Sequence, residues 1–412
     1  NSYDNIKVAV GILWRDHMRS WVAKTEEIDD LEVAVEELKN GIPTEELLTN
    51  TVGIAYVYYD ADFEELSKML SETFQFPIIG VSSMALLDHE GYLVYGMELL
   101  VMSADDVRFS VGMTDRLDKD NYEEKLEKLY DAMKGDIQEQ EKLILAYTGK
   151  VVDADGDIYV KTFDKISGGV PVYGGMPSDM YTYKDFKVFY DGKVVNYAAV
   201  VILVYGNVSP ITLVEFSISN ETSLESQVTK ALGNIVFSLG DKTFIQTLEE
   251  AGLSSDNENV IKEYVQTPFV VKKEVENGET IEFLRNLAYL KHDTGIGVFL
   301  GQVPEGAELK VATVSVDDIG KSVTQVFTDL IHEMEKRSDY QYSTIICTSC
   351  TARYMNIIGD KNIEGNAYKD IIPDDINLVG MYSYGELCPT KSSDSDKLYN
   401  MFHNETFTIL AL

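Results

Sequence analysis

One supersecondary plan occurs three times along this chain: an apolar strand running into a glycine turn, a polar excursion, and a second apolar strand. The first copy is Ile78-Ile79-Gly80-Val81-Ser82-Ser83, followed by residues 97–102. The second is Val172-Tyr173-Gly174-Gly175-Met176-Pro177-Ser178-Asp179, followed by residues 199–205. The third is Gly380-Met381-Tyr382-Ser383-Tyr384-Gly385-Glu386-Leu387-Cys388-Pro389, followed by Phe402-His403-Asn404-Glu405-Thr406-Phe407-Thr408-Ile409-Leu410-Ala411-Leu412. A hairpin repeated three times implies duplicated units. Only the third copy carries a His-Asn pair, His403-Asn404, at the head of its closing strand.

Around each hairpin, strand-like runs alternate with amphipathic helices. Unit 1 reads as a strand at 7–13, a helix at 24–40 with Leu31, Val35 and Leu38 on one face, a strand at 52–58 and a helix at 61–73 capped by Asp60, then hairpin strands at 77–83 and 96–103. Unit 2 has a strand at 107–113, a helix at 122–134, a strand at 142–148, a short helix near 163–167 and hairpin strands. Its hairpin carries an extra excursion at 187–193, where Asp191-Gly192 signals a tight turn. Unit 3 is a strand at 309–316, a helix at 319–336, a strand at 343–347, a short helix near 354–358 and the closing hairpin. Residues 212–301 break the rhythm and read as an insert, with a polar loop at 254–259. Helical crossovers make neighbouring strands parallel, and each final hairpin adds an antiparallel strand. The prediction is an α/β protein of mixed sheets with outer helices, in two lobes, made of three βαβαββ pseudo-repeats plus an insert. The boundary falls near Asn207-Val208-Ser209-Pro210, giving domains 1–207 and 208–412.

Bulk properties narrow the function classes. At 412 residues the chain exceeds what one core organises, and its 45% hydrophobic content is ordinary. No window approaches eighteen apolar residues, so no membrane span is expected. A net charge of −34 argues against nucleic acid and anionic membranes as partners. Asn1-Ser2-Tyr3-Asp4-Asn5 leads straight into an apolar strand, with no signal peptide, although the lack of an initiator Met leaves room for a removed leader. Three cysteines give no disulfide framework and suit a reducing, cytoplasmic setting. Cys347 and Cys350 form a CxxC without a second pair or a nearby His, so no metal site is expected. On a strand, residues three apart point to opposite faces, so the two thiols need a bend to meet.

These motifs resemble the FIST family, a bacterial sensory module with an N-terminal and a C-terminal FIST domain. The resemblance spans essentially the whole chain. In the N-terminal half it rests on Gly80-Val81-Ser82-Ser83, Gly174-Gly175-Met176-Pro177-Ser178-Asp179 and Val188-Phe189-Tyr190-Asp191-Gly192. In the C-terminal half it rests on Ser349-Cys350-Thr351-Ala352-Arg353, the run from Gly380 to Glu386, and Phe402-His403-Asn404-Glu405-Thr406. The first turn departs from the family pattern: Met84-Ala85-Leu86 stands where a Gly-Glu is usual. The resemblance implies a cytoplasmic sensory role, with ligand binding passed to a signalling output protein such as a histidine kinase. It also suggests a rival, a haem-based nitric oxide sensor regulating a partner kinase.

Candidate ligand contacts concentrate in the C-terminal half. Gly380 and Gly385 at strand-end turns let a ligand approach the backbone, or serve turn geometry alone. Glu386 can hold an ammonium group and Arg353 a carboxylate, which together suit an amino acid or related metabolite; the alternative is a structural salt bridge. Asp179 occupies a place comparable to Glu386 in unit 2. Tyr384 stands among tyrosines that line a pocket or its rim. His403 reads as a ligand contact, a haem axial ligand or a hydrogen-bonded structural residue, and Asn404 can hold its imidazole. Of the five histidines, His17, His89, His292 and His332 lie in polar settings, so no haem cofactor is expected. No nucleophile elbow, P-loop, zincin or dinucleotide motif is present, and the reading is non-catalytic. The enzymatic alternative rests on a Cys350 nucleophile with His403 as base.

Overall fold

The computed structural model describes residues 18–412 apart from 152–153, 257–259, 276–277 and 358. The expected strand at 7–13, His17 and the end of the loop at 254–259 lie outside the described residues. Unit 1 comprises β1 (Arg19–Thr25), α1 (Leu31–Asn40), β2 (Asn50–Tyr58), α2 (Phe63–Thr73), β3 (Ile78–Ser83), β4 (Leu86–Asp88), β5 (Gly91–Leu93) and β6 (Met97–Ala104). Unit 2 comprises β7 (Val107–Met113), α3 (Tyr122–Lys134), β8 (Leu143–Thr148), α4 (Asp157–Ser167), β9 (Val172–Gly175), β10 (Lys187–Tyr190), β11 (Lys193–Asn196) and β12 (Ala199–Gly206). Unit 3 opens with β13 (Ile211–Phe216) and is then interrupted.

The interruption is a further sheet with two helices. It contains β14 (Ser219–Leu232), β15 (Ile235–Leu239), β16 (Lys242–Thr243), α5 (Phe244–Glu250), α6 (Val260–Gln266), β17 (Phe269–Glu274), β18 (Thr280–Arg285), β19 (Leu287–Lys291), β20 (Ile296–Phe299) and β21 (Glu308–Thr313). Unit 3 resumes with α7 (Val316–Lys336), β22 (Thr344–Cys350), α8 (Thr351–Asn356), α9 (Ile363–Tyr368), β23 (Asn377–Ser383), β24 (Glu386–Lys391), β25 (Leu398–His403) and β26 (Thr406–Ala411). Ser315 starts α7 with a reciprocal capping box to Asp318.

Three sheets share one strand order: β1-β6-β2-β3-β10-β11, β7-β12-β8-β9-β24-β25 and β13-β26-β22-β23-β4-β5. Within each, the second and third strands of a unit are parallel and the unit's last strand is antiparallel, as expected. The last strand slots between the first and second, so the first strand sits at the edge. The remaining hairpin of each unit leaves home. That of unit 1 completes the sheet of unit 3, that of unit 2 completes unit 1, and that of unit 3 completes unit 2. This cyclic exchange brings the inner faces of all three sheets into one core, which includes Val52 and Ile54 from unit 1, Leu143 and Leu145 from unit 2, and Ile346, Val379 and Leu410 from unit 3. Helices cover the outer faces. In α1, Leu31, Ala34, Val35 and Leu38 recur at helical spacing, and Asp30 caps the helix, which fixes its start later than residue 24.

Two expected boundaries change. The strand expected at 309–316 is β21, part of the insert's sheet, where it pairs with β14 and β17. The true first strand of unit 3 is β13, paired along its length with β26 from Ile211↔Ala411 to Phe216↔Thr406. Both runs are apolar, and only pairing with the chain's last strand separates them. The insert therefore enters after β13 and occupies 219–313. The extra hairpin foreseen only in unit 2 is present in all three units. Among the described residues no helix is long and apolar enough to cross a membrane.

Candidate functional site

The exchange sets three hairpins in equivalent register, so their residues can be compared position by position. The glycines Gly80, Gly174 and Gly380 face Phe189, Leu387 and Leu87 of the visiting strand. One residue further along, the visiting strand places Val188, Glu386 and Leu86. Their cross-strand partners within each hairpin are Val195, His403 and Leu93. Two units thus put an apolar pair here and the third puts Glu–His, with Glu386 at 0% and His403 at 1% exposure. The scaffold works with apolar residues at this position. Burying a polar group instead costs about 1–3 kcal/mol unless it is fully hydrogen-bonded, so the substitution calls for a functional reason.

The polar groups gather where parallel strands β22 and β23 end, the usual place for a ligand crevice in α/β sheets. Thr406 Oγ1 donates to Glu386 Oε2 at 2.9 Å, while Glu386 Oε1 has no partner. Burial pushes this carboxyl up to about 8 against the pull of Thr406 and the nearby Cys350, which favours the neutral acid at pH 7. Glu405, in the turn between β25 and β26, accepts from Asn286 Nδ2 at 2.8 Å and Asn356 Nδ2 at 2.7 Å. Burial raises it to about 8 as well. Asn404 donates to the carbonyl of His403 at 3.0 Å, but its Oδ1 and that of Asn286 find no donor. Cys350 lies between the carboxyls; burial first, then Glu386 and Glu405, push its thiol well up. A loop of tyrosines closes over this end. Asp179 accepts the backbone N–H groups of Thr182, Tyr183, Lys184 and Asp185 at 2.9–3.1 Å. That anchors Tyr181 and Tyr183 in left-handed backbone, φ 59° and 54°. Tyr384 donates to Asp179 and stacks on Tyr183 with centroids 4.4 Å apart, and Tyr181 reaches the carbonyl of Thr351 at 3.4 Å.

Two family models match this chain: the FIST N domain over residues 51–242 and the FIST C domain over residues 245–389. Together they span most of its length. The chain belongs to the FIST family. FIST domains are linked to sensory signal transduction and ligand binding. No curated protein sequence matches it. Among solved structures, a cyanuric acid hydrolase is similar at 8% identity, covering 73% of this chain and 99% of that chain with a TM-score of 0.28. At that distance the likeness informs neither fold detail nor chemistry.

The FIST motif residues divide into two groups. Glu386, Asn404 and Tyr384 stand at strand-end turns, each with a partner of its own: Glu386 accepts from Thr406, Asn404 donates to the carbonyl of His403, and Tyr384 donates to Asp179. Arg353 does not join them as half of a zwitterion pair. Its Nε donates to Glu364 at 2.7 Å, Nη1 to Ser217 at 2.6 Å, and Nη2 to Ser322 and the carbonyl of Ile319 at 3.1 and 3.3 Å. With every nitrogen engaged and 0% exposure, this arginine is a structural tie within unit 3, beside the point where the insert begins. Asp179 is likewise consumed by its own loop; burial alone would raise it, but Thr182, Tyr384 and the backbone donors hold it down to about 2. A Cβ at Gly380 would stand 2.9 Å from that of Cys347, and one at Gly385 2.2 Å from the ring of Phe402. Both glycines therefore serve close packing. His403 turns away from Asn404 and Cys350: its Nε2 lies 3.0 Å from the carbonyl of Cys388 and 3.0 Å from Thr390 Oγ1. Cys347 and Cys350 are both free and buried on one straight strand.

Sequence reasoning passed over Glu405, Asn286 and Asn356. Glu405 was legible, since it completes the His403-Asn404-Glu405 turn. Asn286 belongs to the insert, and nothing local to the residue marks it as a neighbour of that turn.

Proposed function

We propose that this FIST protein is a non-catalytic receptor for a small molecule carrying an amino group, such as an amino acid or related metabolite. The observation that supports this most directly is the set of buried acceptor oxygens lacking donors at the strand ends: Glu386 Oε1, Asn404 Oδ1 and Asn286 Oδ1. A buried acceptor without a donor costs about 1–3 kcal/mol, and an ammonium group, with three donors and no acceptor, is the kind of group that answers such atoms. Nearby tyrosine rings suit a cation further. Arg353 is committed elsewhere, so this site selects the amine end and leaves a carboxylate unpaired.

Binding has a proton consequence. A neutral Glu386 that receives an ammonium becomes a carboxylate and releases its proton. Asn286 of the insert bonds Glu405 of unit 3 directly at 2.8 Å, so a ligand that engages Asn286 bears on the joint between the two and shifts the population of their arrangements. That shift is what a cytoplasmic output protein, such as a histidine kinase, would read.

Calorimetric titration of amines and amino acids at pH 7, in two buffers of different ionisation enthalpy, tests the reading. Saturable binding with release of up to one proton is expected. Glu386→Gln should abolish the release, and Asn404→Ala should weaken binding about tenfold or more, the loss of one hydrogen bond to a charged group. Binding by no member of the panel, or binding that both variants leave unchanged, refutes it.

A further inference from the structure

The repeat allows a second comparison, between the first and last strands of each unit. The partners Lys24↔Glu98 on β1 and β6 correspond to Met113↔Val200 on β7 and β12 and to Val214↔Thr408 on β13 and β26. The next strand over contributes Tyr56, Tyr147 and Thr348 to the same rows. Units 2 and 3 keep the row uncharged, whereas unit 1 sets a lysine directly opposite a glutamate. Opposite charges so placed lie within reach and attract. These two do not pair: Glu98 is fully buried, and neither of its carboxyl oxygens has a partner.

Lys24 turns instead to the hairpin that unit 1 lends to unit 3. Its Nζ lies 2.8 Å from Asp88 Oδ2 and 2.5 Å from Glu90 Oε2. Asp88 is fixed in turn, since its Oδ1 accepts the backbone N–H groups of Glu90 and Gly91 at 2.8 and 2.9 Å and its strand pairs with β23 at Val379. One lysine thus ties β1 of the first sheet to β4 of the third. Burial, then Asp88, push the Glu98 carboxyl well above the usual carboxylate range, with Lys24 pulling the other way. Burial lowers Lys24, but Asp88 and Glu90 raise it further, so the amine stays charged. Tyr56 on β2 and Tyr368 on α9 also feel the Glu98 charge; burial raises both phenols far above their ordinary range. His89, between the two hairpin acids, is the other titratable group beside them.

We infer that Lys24 is a two-position latch between units 1 and 3. While Glu98 keeps its proton, the ammonium holds the visiting hairpin through Asp88 and Glu90. When that proton passes to solvent, the ammonium turns to the carboxylate opposite it on its own sheet and lets the hairpin go. The preference follows from solvation. An ionised, buried and unpaired Glu98 is costly. The hairpin acids lose less, because the Glu90 side chain is 82% exposed and Asp88 keeps its two backbone donors. Alkalinity therefore loosens the contact between two sheets of the repeat. The acids of the proposed amine site, Glu386 and Glu405, take no part in it.

Nuclear magnetic resonance titration of the full chain from about pH 6 to about pH 10 tests the inference. The carboxyl carbon of Glu98 is followed together with the amide resonances of Glu90 and Gly91, in the wild type and in His89→Gln, which removes the hairpin's own histidine. Glu98 should titrate above neutrality, and both amides should move with the same midpoint as Asp88 loses its lysine. In Lys24→Met the amide shifts should shrink severalfold, while Glu98 still titrates, at a higher pH than in the wild type. In Glu98→Val, which copies the row of unit 2, the amides should not respond. No titration of Glu98 before the protein unfolds, a midpoint below neutrality, or amide shifts of equal size in Lys24→Met overturns the inference.

Discussion

Replacing Glu386 by Gln should make the protein more stable at neutral pH and leave it nearly unchanged in acid. The carboxyl has an ordinary value of 4.5, and burial holds it at about 8 in the folded chain. A carboxyl raised in this way binds its proton more tightly when folded. Its contribution is fully present below pH 4.5 and is lost as pH rises through about 8. Each unit of that gap corresponds to about 1.4 kcal/mol. At pH 7 the unfolded chain has gained about 3 kcal/mol relative to the folded one from this group alone. Glu405 follows the same course with the same endpoint. The amide keeps the shape and the acceptor for Thr406 but cannot ionise. Urea unfolding followed by far-ultraviolet circular dichroism at pH 5, 6, 7 and 8 measures the effect. The wild-type curve should fall with pH more steeply than that of Glu386→Gln, the two diverging by about 3 kcal/mol at pH 7. Parallel curves would show that the acid is already ionised in the folded protein, and the proton-release mechanism would fall with it.

Three further outcomes follow from the same geometry. Arg353→Leu strands Glu364 as a buried, uncompensated acid, so denaturant unfolding should show a loss of about 3–5 kcal/mol, partly recovered in Arg353→Leu/Glu364→Leu; a loss under 1 kcal/mol would contradict the tie. Cys350 is buried with a raised thiol between two carboxyls, so iodoacetamide should label it far more slowly in the native protein than in urea; fast native labelling would revive the nucleophile reading. Reconstitution with ferrous haem should give no stoichiometric Soret band, because the Nε2 of His403 is engaged by Cys388 and Thr390; a band that vanishes in His403→Ala would promote gas sensing.

How far the sequence reached depends on the range of the signal. The strand–helix alternation, the glycine hairpins and the parallel pairs follow from local patterning, and they are present. The destination of each hairpin is not local. Nothing within Leu86–Asp88 says that it pairs with Val379 to Met381, some three hundred residues on. The same limit misplaced the insert, since β13 and β21 are equally apolar and only β26 chooses between them. Among the candidate site residues, Glu386 and Tyr384 stood out because they lie in one turn motif, and Asn404 because it follows His403 in another. Arg353 was misassigned because its acceptor, Glu364, sits in α9, beyond a segment that gave no signal.

The repeat itself explains why one unit carries the site. Three equivalent strand ends are available, and two of them are closed by their own chemistry. The hairpins contributed by units 1 and 2 carry the apolar pairs Leu86–Leu93 and Val188–Val195, whereas the one contributed by unit 3 carries Glu386–His403, and the turn after unit 1's own strand, Met84-Ala85, is buried and apolar. In unit 2, Asp179 turns inward and gathers its own loop. In unit 3 the insert enters directly after the edge strand and carries Asn286 to the very turn that holds Glu405. A buried acid with an unfilled acceptor costs about 1–3 kcal/mol until something fills it. Unit 3 joins such acids to the junction with the insert, where Asn286 holds Glu405 at 2.8 Å, so on the receptor reading a ligand's few kilocalories act on that joint.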